Sequence, residues 1–158
     1  MLLAEQSAGA VAQGTAWETE ITHPHVLVCE DESEILDEIS EYFHEDGIAI
    51  STAADGYAAA MAFKGAPPGT FSVVVTDLRM PQLDGASLAK GILAGSDAAH
   101  AVEVIVMSGH GAEEMRIRQH ELGLFAVLQK PLNLADLAAT VLRAHDSAMT
   151  RRAAARAG

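Results

Sequence analysis

The chain has 158 residues, 22 of them acidic and 10 basic, for a formal net charge of -12 with histidine neutral. That length supports one domain with its own core and no staples, and that charge disfavours direct contact with nucleic acid or an anionic membrane surface. The single cysteine, Cys29, excludes an intramolecular disulfide and suits a reducing compartment, and no stretch approaches the roughly 20 apolar residues that cross a bilayer. Residues 1–23 lack the basic run and the sustained apolar core of a secretory signal, and are expected to form a flexible tail on a cytoplasmic protein without membrane insertion.

From residue 24 onward, short β-branched runs alternate with helical patterns, which is the arrangement of βαβ units around a parallel sheet. Strands are expected near residues 25–29, 48–53, 71–76, 102–107 and 125–129. The first helix places Ser33 as its cap, repeats Ile35, Ile39 and Phe43 at four-residue spacing, and stops at Gly47. A second spans about residues 57–64 and is halted by Gly65-Ala66-Pro67-Pro68-Gly69. The third covers about Ser87 to Leu93, and the fourth Ala112 to Leu122 with Gly123 behind it. Asn133 can cap the fifth, with Asp136 in its first turn and an end near His145. The domain therefore covers residues 24–146, and residues 147–158, with Arg151, Arg152 and Arg156, are expected to be a basic, disordered tail. The seven histidines form no zinc-like pattern with cysteine, and most are expected to be solvated.

In an open α/β sheet, ligands bind at the carboxyl ends of the strands. Glu30 and Asp31 follow the run Val26 to Cys29, Asp77 ends the run from Phe71, Ser108 follows Val104 to Met107, and Lys130-Pro131 follow Ala126 to Leu128. Three acids, a hydroxyl and an amine are thus expected to share one pocket. Converging carboxylates repel unless a cation neutralises them, and Mg²⁺ suits an all-oxygen site. Taken singly, the acids read as helix caps, Ser108 as a turn residue and Lys130 as a solvated charge. Their joint placement carries the functional reading, with separations of 46 (77 minus 31), 31 (108 minus 77) and 22 (130 minus 108).

That set, with the string Asp77-Leu78-Arg79-Met80-Pro81-Gln82-Leu83-Asp84-Gly85, resembles the receiver domain of two-component response regulators over roughly residues 24–146. The resemblance implies a flavodoxin-like, doubly wound five-stranded parallel sheet in a three-layer sandwich. It implies that Asp77 accepts a phosphoryl group from a histidine kinase or a histidine phosphotransfer protein. Mg²⁺ would be held by Asp31, Asp77 and the main-chain carbonyl of Arg79, with Glu30 binding directly or through water. Ser108 and Lys130 would take phosphoryl oxygens, and the Lys130-Pro131 bond would be cis.

On that reading the chain is a single-domain phosphoacceptor rather than an enzyme, beyond its own phosphotransfer and autodephosphorylation. It would signal to a downstream protein target through residues 112–145, with dimerisation left open. Two positions depart from the family pattern. Glu30 stands where an aspartate is common, and Val127 stands where many receivers carry a switching aromatic, for which Phe125 on the same strand face is the candidate substitute. The rival readings are a phosphate sink, a scaffold without phosphotransfer, and a haloacid-dehalogenase-type phosphohydrolase. The last wants a second aspartate two residues after the nucleophile, where Arg79 stands.

Overall fold

The computed structural model of the protein describes residues 24–157. Five parallel strands form one sheet, β1 (His25–Cys29), β2 (Ala49–Ala53), β3 (Val73–Asp77), β4 (Glu103–Ser108) and β5 (Ala126–Gln129), in the order β2-β1-β3-β4-β5. Between and after them run α1 (Ser33–Glu45), α2 (Gly56–Gly65), α3 (Gly85–Ala94), a short 3₁₀ turn (Ala98–His100), α4 (Ala112–Leu122) and α5 (Leu134–Ala157). The central strands β3 and β4 are buried along their whole length, as their unbroken β-branched runs require in a sheet covered on both faces. Ile39 and Phe43 of α1 pack with Leu137, Val141 and Ala144 of α5 on one face. On the other, Ala59 of α2, Leu88 and Ile92 of α3, and Met115 of α4 cover the sheet. This is the three-layer, doubly wound fold expected from the sequence.

The helix caps agree only in part with the sequence reading. Glu32, not Ser33, is the N-cap of α1, and it makes no side-chain capping bond. Asn133 does cap α5, accepting from the Asp136 amide at 3.0 Å.

The expected C-terminal tail is instead the continuation of α5 through Ala157. Buried Val141, His145, Ala148 and Arg152 fall on one helical stripe, so the extra turns still face the fold. Arg152 is only 6% exposed and donates to the carbonyls of Ala101 at 2.9 Å, Gly69 at 3.1 Å and Phe71 at 2.9 Å. His145 is also buried rather than solvated, with Nδ1 2.7 Å from the Ser72 hydroxyl. The tail expected for residues 1–23 lies outside the described residues. Among the described residues, no helix is long and apolar enough to cross a membrane.

Candidate functional site

The parallel register brings the chemistry together. β3 lies between β1 and β4, pairing Cys29 with Thr76 and Asp77 with Met107, while Ser108 of β4 pairs with Gln129 of β5. The ladder runs one step beyond the strands, since the Glu30 amide donates to Ala53 at 3.1 Å and the Lys130 amide to Ser108 at 2.9 Å. Glu30, Asp77, Ser108 and Lys130 therefore sit at four adjacent strand ends. The loop after Asp77 is held close by backbone bonds from Leu78 to Met107 and from Gly85 to Leu78, each 2.8 Å. Gly85 is required there, because a Cβ would come within 2.2 Å of the Asp77 carbonyl oxygen.

Glu30, Asp31 and Asp77 each present an oxygen within 4.8 Å of the others. Asp31 is exposed, whereas Glu30 is fully buried and Asp77 nearly so. Lys130 reaches in from β5, with Nζ 2.6 Å from Glu30 Oε1 and 3.3 Å from Asp77 Oδ1. The shorter contact of the lysine is thus with Glu30, not with Asp77. The second Glu30 oxygen accepts the Glu32 amide at 3.1 Å. Both oxygens of Glu30 are engaged, and Asp31 is the acid left open to solvent.

Burial raises the Asp77 carboxyl above its ordinary value, opposed by the charge of Lys130. Burial likewise raises Glu30, opposed by its bond to Lys130. Lys130 is held above its ordinary value: desolvation pulls it down, and the bond to Glu30 and the charge of Asp77 outweigh that loss. One ammonium serves two buried carboxylates, and a third stands at the rim. An all-oxygen anionic donor set with an excess of negative charge fits a hard divalent cation.

Ser108 is 1% exposed, and its hydroxyl donates to the carbonyl of His110 in the loop before α4. The Lys130-Pro131 peptide is cis, as the resemblance implied. The side chain of Arg79 is exposed and lines a cleft of about 610 Å³ with Met80, Asp84, Glu114 and Arg118, beside the acidic cluster.

Val127 packs on the α2–α4 side of the sheet, while Phe125, one residue before β5 begins, packs on the α1–α5 side. Phe125 therefore does not share the face of Val127 and does not stand in for a switching aromatic there. The Cys29 thiol is buried, as its place in an apolar run suggests, and lies 3.2 Å from the Met80 sulfur. Burial pushes that thiol up to about 12, which leaves it a structural group.

The family model described as response regulator receiver domain matches residues 26–142. The chain is 33% identical over 124 residues to the transcriptional regulatory protein PrrA of Mycobacterium tuberculosis, covering 78% of this chain and 51% of that protein. It is 32% identical over 111 residues to the transcriptional regulatory protein FixJ of Bradyrhizobium diazoefficiens, covering 70% of this chain and 51% of that one. The chain thus spans about half the length of the curated relatives it matches. Among solved structures, a response regulator receiver domain protein from Clostridium thermocellum superposes with a TM-score of 0.72 at 29% identity, over 78% of this chain and 95% of that one. Receiver domains typically bind Mg²⁺ at an acidic cluster and interact with histidine kinases, and both the cluster and the sheet that builds it are present here. With strand order, strand-end chemistry and sequence match in agreement, the chain belongs to the response regulator receiver domain family.

Proposed function

We propose that this chain accepts a phosphoryl group on Asp77 from a histidine kinase or histidine phosphotransfer protein, and signals through protein contacts. The observation that supports it most is the lysine bridge, in which Lys130 lies within 3.3 Å of Asp77 while its second anionic partner is buried Glu30. Glu30 fixes the ammonium beside the acceptor carboxylate, so a cation stands ready where negative charge spreads over phosphoryl oxygens. Asp77 supplies the attacking oxygen, and the bond to the donor's imidazole nitrogen breaks as the new phosphorus–oxygen bond forms. Ser108 is the hydroxyl donor nearest the end of β4; it exchanges the His110 carbonyl for a phosphoryl oxygen. In this reading Asp31, Asp77 and the carbonyl of Arg79 hold Mg²⁺, with Glu30 outside the direct set because its oxygens are already bonded. The bound ion supplies charge neutralisation and a template for the phosphoryl oxygens.

The output surface assigned to residues 112–145 rests on α4, which buries only Ala112 and Met115 and is bounded by left-handed glycines at both ends, Gly111 and Gly123. A helix held by so few buried side chains shifts at low cost. Val127 cannot report the event by a ring movement, so release of the His110 carbonyl by Ser108 is the route from site to α4. The regulation of transcription named for the relatives is a property of those proteins, and we assign this chain a protein target rather than DNA. Amide shift mapping with beryllofluoride tests this reading. Changes are expected from Ser108 to Glu114 and along α4; changes confined to Glu30, Asp31 and Asp77 would contradict the output assignment and favour a phosphate sink.

A further inference from the structure

The two helices α2 and α3 carry a surface unlike the rest of the protein. Over ten residues each, they hold one charge apiece, Lys64 and Lys90, and no acid, in a chain whose formal charge is -12. An α-helix that is apolar around its whole circumference is ordinarily covered. Here Tyr57 is 63% and Met61 57% exposed on α2. Between the helices runs a groove of about 610 Å³, walled by Ala60, Phe63, Leu88, Gly91 and Ile92, with Lys64 on its rim. It lies across the sheet from α1 and α5, and its lining includes none of Glu30, Asp31, Asp77, Ser108 and Lys130.

The start of the described fold runs beside this groove. The Pro24 carbonyl accepts the Ala49 amide, and the His25 ring meets Phe71 edge-on at 4.8 Å. Phe71 in turn stacks on the groove wall at Phe63, with centroids 6.1 Å apart. The 23 residues that precede Pro24 contain Glu5, Glu18 and Glu20, no lysine or arginine, and Trp17, the one tryptophan of the chain. Trp17 stands seven Cα–Cα steps before Pro24 (24 minus 17), a reach of up to about 24 Å, and ten-residue helices are only about 15 Å long. A tryptophan buries about 150–250 Å² of largely apolar surface, which suits a groove with apolar walls.

We propose that the α2–α3 groove is the docking site for the chain's own N-terminal segment, with Trp17 seated between Phe63 and Gly91 and the acids at 18 and 20 near Lys64. Reach and apolar match favour this occupant over a second copy, with Lys64 offered to its acids while Asp97, the acid on the groove lining, is bonded to His100. Two copies would bring like-charged proteins together and set Lys64 and Lys90 of one against the same lysines of the other.

The sole tryptophan makes the test direct. In the full chain at low concentration, Trp17 emission should be blue-shifted, and its acrylamide quenching constant should be severalfold below that of the urea-unfolded chain. Gly91→Leu should fill the groove and restore free quenching. A Cβ at position 91 meets nothing within 4 Å, so the fold itself tolerates the change. Lys64→Glu provides a second variant and should weaken protection without filling the groove. Freely quenched Trp17 in the unaltered chain would overturn the proposal, as would protection that survives both substitutions. Protection lost on dilution would assign the groove to a second copy instead.

Discussion

Replacing Lys130 by methionine probes the site's electrostatics most severely. Methionine keeps most of the stem volume, so the change removes the ammonium with little loss of packing. The lysine side chain is 15% exposed, Glu30 0% and Asp77 10%, so this ion triad is largely out of water. Removing one partner from a buried pair costs about 3–5 kcal/mol, because the remaining charge is left uncompensated. Proton uptake by one of the two carboxylates softens that penalty, so a loss of about 3 kcal/mol at neutral pH is expected. With a urea slope of about 2 kcal/mol/M, the midpoint should fall by about 1.5 M.

The pH dependence follows from the directions of the shifts. Glu30 and Asp77 are both raised above ordinary values of 4.5 and 3.8, so the folded state binds their protons more tightly than the unfolded state. Such groups favour folding at low pH and lose that contribution as pH rises through their folded values. Without Lys130 both rise further, and the defect of the variant should shrink steadily as pH is lowered from 7 toward the ordinary carboxylate range. Adding Glu30→Gln removes one unpaired charge, so the double variant should be more stable than Lys130→Met alone. A loss below about 1 kcal/mol, or one that is independent of pH, would refute the triad as a buried charge network.

Other expectations follow from the same geometry. Asp31→Ala should abolish most Mg²⁺ binding in calorimetry while Glu30→Ala weakens it less, since Glu30 has both oxygens engaged; the reverse order would overturn the ligand assignment. Because Lys130 is held above its ordinary 10.5, its contribution to stability should persist below that pH and disappear as alkali takes pH through its raised folded value, a midpoint shift that Lys130→Met should lack. Arg152→Met should cost about 3 kcal/mol in urea denaturation and speed hydrogen exchange in the last turns of α5, because three carbonyls lose a charged donor. Unchanged exchange there would show that the extension is held by apolar contacts alone.

What could be read from the sequence was what local pattern fixes. Asp77, Ser108 and Lys130 could be placed because each ends an apolar run, and a parallel sheet brings such ends together. The close tie between Lys130 and Glu30 was not legible, since it depends on side-chain reach across the strand ends from β5 to β1. The tail from Ser147 was misjudged because its alanines and arginines look solvated in one dimension. The carbonyls that hold Arg152 come from residues 69, 71 and 101, far away in the chain. Phe125 was placed on the wrong face because the two-residue alternation holds only inside a strand, and β5 begins at Ala126.

Intact-mass spectrometry after incubation with acetyl phosphate and Mg²⁺ tests the phosphoacceptor assignment most directly. One added phosphoryl group is expected, lost on alkaline hydrolysis as an acyl phosphate should be, absent in Asp77→Asn, and reduced when the divalent ion is chelated. Full modification of Asp77→Asn, or none in the unaltered chain from either acetyl phosphate or a phosphohistidine donor, would contradict the assignment of Asp77 as the phosphoacceptor.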